Sequence, residues 1–239
     1  MVQTVSCNDC NLSAVCLPLA VAPDQVEQLD NILKRGRSLK PGEHLYKARD
    51  PFRSVYAVRS GAIKTYSLTE EGEQQITGFY LPGEVVGMDG ISTAYYASSA
   101  QALETSSVCE VPFEHMEALS LQIPSLQRHF FKLMSQEIKS DRELHMLLSR
   151  KSAEDRIAAL LLSLSARAHR RGLSAHQLRL PMPRNEMANY LGLAVETVSR
   201  IMTRLHNEGV LRVQGREVDI QDRDHLCRHG ELRLNVQNL

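Results

Sequence analysis

The sequence predicts an α+β protein in two parts: an antiparallel β-roll or jelly roll, and then, through one long helix, a helix-turn-helix. Three observations carry this expectation. Short apolar runs alternate with glycine punctuation from about Leu29 to Phe113, and no glycine or proline interrupts Ser125 to Ser149. Two short helical patterns then flank Gly192-Leu193-Ala194. At 239 residues the chain is ample for two cores.

In the first part, Lys40-Pro41-Gly42-Glu43, Arg59-Ser60-Gly61, Glu71-Gly72-Glu73 and Leu81-Pro82-Gly83-Glu84 read as tight turns. Between them, Ser54–Val58 and Ala62–Leu68 carry β-branched and aromatic residues on a two-residue beat, which suits strands. The glycines are turn formers rather than a nucleotide loop.

Ser125 is a suitable N-cap for the uninterrupted stretch that follows. Some 25 helical residues make a rod of about 37 Å, longer than one surface of a small domain needs. Phe131, Met134, Ile138, Asp141, His145 and Leu148 recur at steps of three and four, the seam of a two-stranded coiled coil. Phe130, Leu133, Leu144 and Leu147 form a second stripe able to pack back on the β-roll. A single broad apolar face buried within one protomer is the alternative to dimerisation.

Ser149-Arg150-Lys151-Ser152 is a polar break, and Ser152-Ala153-Glu154-Asp155 resembles a capping box opening a helix through Ile157, Leu160, Leu161 and Leu164. Beyond it, Arg184 to Leu191 reads as a short helix and Val195 to Asn207 as a second one ending at Gly209. Ala188, Leu191, Leu193, Val198, Ile201 and Leu205 are apolar where the two helices must touch. Glu196, Thr197, Ser199, Arg200 and Arg204 are left outward. Arginine pairs with guanine N7 and O6, and glutamate accepts from cytosine N4, in the major groove. Charge agrees: residues 1–149 hold 13 Lys+Arg against 18 Asp+Glu, and the remainder 15 against 10. Only the second part attracts polyphosphate.

Four of the five cysteines form a pattern, Cys7-x-x-Cys10-x₅-Cys16 with a remote Cys109, that reads as a metal site. Thiolate is the ligand both iron–sulfur clusters and zinc demand. Three cysteines crowded at one end with one far away are closer to the iron–sulfur habit than to paired zinc knuckles, and zinc stays as the competing metal. Cys227, beside Asp224, His225 and His229, reads as a bystander, and His115, His129 and His145 lack metal-ligand spacing. The apolar run Val15–Val21 is too short to span a bilayer and follows acidic Asp9 rather than a basic leader. With an odd cysteine count, this points to reduced thiols in the cytoplasm and to no membrane partner. No glycine-rich cofactor loop or Ser-His-Asp arrangement supports an enzyme.

These residues together resemble an FNR-type member of the CRP–FNR family of bacterial transcription regulators, over essentially the whole length. Cys7, Cys10, Cys16 and Cys109 match that family's ligands to an oxygen-labile [4Fe–4S] cluster, and Glu196-x-x-Ser199-Arg200 matches its recognition-helix signature. The resemblance implies a cyclic-nucleotide-binding-like jelly roll and a winged helix-turn-helix. It implies a homodimer on an inverted repeat similar to TTGAT-N₄-ATCAA when oxygen is scarce, inactivated when oxygen destroys the cluster. RNA polymerase contacts then fall on Thr69-Glu70-Glu71-Gly72-Glu73 and Gly172-Leu173-Ser174. The segments become 1–22 for the cluster, 23–123 for the β-roll, 124–150 for the dimerisation helix and 151–239 for DNA binding. Thr65 through Gln127 contains no Lys or Arg, so a nucleotide phosphate in the β-roll would lack a charged partner. Cyclic-nucleotide control is therefore only the alternative.

Overall fold

The computed structural model describes residues 6–230, apart from the side chains at 36 and 37. The outer ends of the first and last expected segments, 1–5 and 231–239, lie outside the described residues. The chain forms two units that meet inside one helix, between Glu137 and Ile138.

The first unit begins with turns and two 3-10 segments, Leu17–Ala20 and Pro23–Gln25, followed by helix α1 (Val26–Ile32). Eight strands follow: β1 (Lys34–Leu39), β2 (His44–Tyr46), β3 (Ser54–Ser60), β4 (Ile63–Leu68), β5 (Gln74–Tyr80), β6 (Val85–Val86), β7 (Ser99–Ala102) and β8 (Ser106–Pro112). Helix α2 (Phe113–Gln122) and the long helix α3 (Pro124–Arg150) close the run. The strands form two four-stranded antiparallel sheets, β1-β8-β3-β6 and β2-β7-β4-β5. This is the expected roll, with β3 and β4 where the two-residue beat put them.

One stretch departs from the strand reading. Val26 and Leu29 are both buried, one helical turn apart, so the chain from Val26 to Ile32 is helical where strand pattern was expected from Leu29. Phe113–Gln122, where the strand stretch ends, is helical and buries Met116 and Leu119. Both helices pack in a core with Leu17, Val55, Ala57, Val85 and Val111, to which α3 adds Leu126 and Phe130. A second core between the sheets holds Leu39, Tyr46, Val58, Ile63, Tyr96 and Val108, with the Tyr46 and Tyr96 rings stacked 3.8 Å apart.

The second unit takes the end of α3 and continues with α4 (Ala153–Arg170), β9 (Gln177–Arg179), α5 (Arg184–Leu191), α6 (Val195–Asn207), β10 (Leu211–Gln214), β11 (Glu217–Ile220) and α7 (Arg223–Gly230). The strands make one antiparallel sheet, β10-β11-β9, with a hairpin wing. At the polar break, the Ser152 hydroxyl accepts from the Asp155 N–H at 3.2 Å while the Asp155 carboxylate accepts from the Ser152 N–H at 3.2 Å. That is the capping box the sequence promises. Between α5 and α6, Gly192 takes a left-handed conformation (φ +61°) that releases the Leu193 N–H to the Ala188 carbonyl at 2.9 Å. Any side chain here would be strained.

Arg156 binds this unit across the break. Its guanidinium donates to the Leu148 carbonyl at 2.7 Å, the Lys151 carbonyl at 3.1 Å and the Leu191 carbonyl at 3.0 Å. These are carbonyls at the ends of α3 and α5 that lack partners within their own helices, where positive charge is favoured. No helix among the described residues is long and apolar enough to cross a membrane.

Candidate thiolate pocket and nucleic-acid interface

The N-terminal segment winds through successive tight turns, with the Cys10 N–H bonded to the Cys7 carbonyl, Ser13 to Cys10, and Cys16 to Leu12. This winding turns Cys7, Cys10 and Cys16 toward one region instead of spreading them along an extended chain. Buried Leu17 anchors the segment in the core, and Val15 lies where a side chain on Gly83 would collide at 2.8 Å. Gly83, at φ +92°, thus lets the turn before β6 approach the segment closely. Cys109 comes from β8, opposite Ala57 of β3.

All four predicted cysteines line one pocket of about 390 Å³ counting its open mouth, together with Leu12, Leu17, Leu33, Ala57, Val58 and Arg59. None is in a disulfide. Burial pushes the Cys16 thiol up to about 12, and the neighbouring Cys109 and Cys10 sulfurs add to that. Burial also takes Cys7 to about 12, reinforced by Asp30, and raises Cys109. Sulfurs that resist ionising alone become a coherent donor set once a cation offsets their mutual repulsion. The donor chemistry therefore fits a soft metal centre.

Sequence reasoning missed the pair behind Cys7. Asp30, on α1, accepts from the Cys7 N–H at 2.7 Å and is ion-paired with Arg35. Arg35 in turn donates to Cys7 Sγ at 3.3 Å. Arg35 holds the Asp30 carboxyl below its ordinary range, despite opposing desolvation. Five residues' separation across a helix end gives no periodic signal by which to find this pair.

Helix α3 presents two faces. Phe130 (8% exposed) and half-buried Leu133 join the first unit's core, as expected of the second stripe, whereas Leu147 (6%) and half-buried Leu144, which the stripe also assigned to the β-roll, belong to the second unit. Phe131 (56%) and Ile138 (53%) face outward with exposed Asp141 and His145. Met134 and Leu148, assigned to the seam, are half-buried. Met134 packs against the first unit's core, and Leu148 approaches Gly192. The open strip is narrower than the sequence pattern, since those two side chains have partners within the protomer. Partial desolvation raises the Asp141 carboxyl.

In the second unit, Ala188, Leu191, Val198, Ile201 and Leu205 are buried between α5 and α6, joined by Met187 and Met202. Leu193 is half-buried. Glu196, Ser199 and Arg200 are exposed on α6, and Thr197 is half-buried. Arg204 is exposed but not idle: it is ion-paired with Glu154 of α4 and lies 3.9 Å from Glu208. Thr69, Glu70, Glu71, Gly72 and Glu73 form the exposed β4–β5 turn, where the Thr69 N–H donates to the Glu73 carbonyl at 2.9 Å. Gly172-Leu173-Ser174 follows α4, with Leu173 exposed. Cys227 is half-buried on α7 of the second unit and does not line that pocket.

The family model described as a Crp-like helix-turn-helix domain matches residues 155–229, and that of the cyclic nucleotide-binding domain matches residues 36–122. The chain is 55% identical to the transcriptional activator protein Anr of Pseudomonas aeruginosa, over 92% of this chain and 91% of that protein. It belongs to the FNR-type branch of the CRP–FNR family of transcription regulators. The fumarate and nitrate reduction regulatory protein of Escherichia coli K12 is 46% identical over 97% of this chain and 93% of its own length. Among solved structures, FixK2 from Bradyrhizobium japonicum matches with a TM-score of 0.77 and 30% identity, covering 84% of this chain and 98% of FixK2. Members of this family are DNA-binding transcription factors and not enzymes.

Proposed function

We propose that this regulator responds to oxygen. In that reading it holds a [4Fe–4S] cluster on Cys7, Cys10, Cys16 and Cys109, pairs along α3, and binds inverted-repeat promoter DNA in the cytoplasm when oxygen is scarce. The observation that carries the reading is the convergence of four free cysteines, three from the N-terminal turns and one from a β-strand, on one pocket. When bound, a cluster supplies an oxidisable centre whose stability depends on thiolate ligation and on hydrogen bonds to sulfur. The chain's own part is to hold Cys109 on a paired strand, to restrict water with Leu12, Leu17 and Val58, and to steady the Cys7 sulfur through Arg35. Zinc would accept the same donors, but three ligands on one turn-rich segment depart from the paired knuckles of structural zinc sites.

The outward strip of α3 supports pairing through Phe131 and Ile138, with His145 at its far end. Asp141 lies in register between Ile138 and His145. In a parallel twofold pair its carboxylate meets its own copy and repels it, so association is marginal until the N-terminal segment is fixed by its metal centre. On α6, Arg200 and Glu196 read one G·C pair per half-site, supported by Ser199, Thr197 and Arg204. The β4–β5 turn and Gly172-Leu173-Ser174 are exposed and free of core packing, as RNA polymerase contacts require. The β-roll serves as a scaffold without cyclic nucleotide, because Thr65 through Gln127 offers no cation for its phosphate.

The test is the visible absorption, iron and sulfide content, and DNA retention of anaerobically purified protein, before and after air. Four iron and four sulfide per chain, with air abolishing both the chromophore and specific binding, is the expected result. Anaerobic protein carrying zinc alone, or binding its DNA equally well in air, overturns the reading.

A further inference from the structure

Among the described residues, one group of metal-ligating side chains brings its donor atoms within 4.8 Å of one another, and the four cysteines are not part of it. It lies in the second unit. Glu154 near the start of α4 and His225 and His229 of α7 each offer one ligand atom. The two histidines are four residues apart and so share one face of α7. His225 Nε2 is 3.7 Å from Glu154 Oε1, and the two imidazole rings are 4.9 Å apart. Tetrahedral zinc with ligand bonds of 2.0–2.2 Å needs donors about 3.4 Å apart, which small side-chain rotations supply.

Two further observations point to a ligand there. His225 Nε2 is buried and has no hydrogen-bond partner among the described residues, so its lone pair or proton is unsatisfied. His229 Nδ1 lies 3.2 Å from Asp155 Oδ1, a carboxylate placed to accept a proton from Nδ1, in which tautomer Nε2 is the ligating nitrogen. That is the carboxylate–histidine pairing that orients metal-bound imidazoles. Glu154 divides its oxygens: Oε2 holds Arg204 while Oε1 faces His225. The ligands also ride on closely docked helices, since a side chain on Gly230 would lie 2.8 Å from the Ala159 backbone nitrogen.

We infer that Glu154, His225 and His229 form a second metal site, separate from the cysteines, taking one borderline divalent cation of the zinc type with water in the fourth position. Two imidazoles and one carboxylate are too nitrogen-rich for calcium or magnesium and too few for a closed structural site. The ion would pin α7 to α4 and so stabilise the DNA-binding unit in proportion to its occupancy.

The experiment uses the untagged full-length chain with all five cysteines changed to Ser, titrated with Zn²⁺ by calorimetry and followed by thermal melting. One equivalent should bind and raise the melting temperature. Asp155→Asn should weaken binding by roughly 10- to 100-fold, the usual cost of losing an orienting partner. His225→Gln and His229→Gln should each weaken it further and abolish the thermal shift. In parallel, the unmodified chain is titrated with Co²⁺. One bound equivalent should show visible bands without the near-ultraviolet sulfur-to-cobalt band, and His229→Gln should remove that equivalent alone. The inference is overturned if the cysteine-free chain binds no zinc, or if both glutamine variants keep the parental affinity. Should the cysteine-free chain not fold, an unchanged cobalt spectrum in His229→Gln overturns it equally. Neither arm depends on the iron–sulfur reading.

Discussion

The thiolate pocket and the recognition helix are built on opposite rules. In the pocket, donors are withdrawn from water until burial pushes Cys7 and Cys16 up to about 12, and Cys109 joins the three N-terminal cysteines from a distant part of the chain. On α6, Glu196, Ser199 and Arg200 are contiguous, exposed and backed by buried Val198, Ile201 and Leu205. A soft metal centre must be shielded from solvent, whereas base edges are read by groups that reach outward. The difference predicts that damage to the first is all-or-none and damage to the second is graded.

The largest expected effect follows from that contrast. Cys109→Ser should abolish both iron content and anaerobic DNA retention, because a hard hydroxyl does not replace soft thiolate, while Cys227→Ser leaves both unchanged. Iron analysis and DNA retention measure this, and a Cys109→Ser protein with full iron would remove the remote ligand. Next is Asp141→Ala. Relieving the carboxylate repulsion should yield a dimer that binds its site in air without a cluster. Sedimentation showing monomer in air, at concentrations where the anaerobic parent is dimeric, would break the link between pocket and helix.

Arg200→Ala should cost about 1–3 kcal/mol of discrimination at one G·C pair per half-site, leaving affinity for random DNA nearly unchanged. Equal losses on specific and random DNA would make Arg200 a phosphate contact. Smallest is Ser152→Ala, which removes the α4 cap and should lower stability by about 1 kcal/mol in denaturant melts, with no change in iron content. A loss of iron in that variant would mean that the two chemistries are not separable.

The same contrast explains what could be read in advance. The helix-turn-helix, its glycine turn and the Ser152–Asp155 box are local, with every partner within a few residues, so spacing alone places them. The two sheets were legible as strands and turns, because β3 and β4 alternate cleanly. Helix α1 was not, since Val26–Ile32 is too short and too sparsely patterned to stand out from strands. In the pocket the cysteines announce themselves by residue type. Arg35 and Asp30, which orient Cys7, and Glu154, which holds Arg204, are ordinary charged residues whose pairing exists only after folding. Met134 and Leu148 fit the seam period equally well, but tertiary packing claimed them first.

Arg156 carries a consequence for the DNA itself. One guanidinium brackets the end of α3, through the Leu148 and Lys151 carbonyls, to the end of α5, through that of Leu191. Only Lys151 and Ser152 separate α3 from α4, so Arg156 ties the end of the long helix directly to the helix-turn-helix. In the proposed twofold pair, that tie should bear on how far apart the two recognition helices stand. The preferred spacer between half-sites should therefore depend on Arg156 as well as on the residues that read bases. Arg156→Leu should relax the preferred number of intervening base pairs while leaving each half-site's sequence preference unchanged.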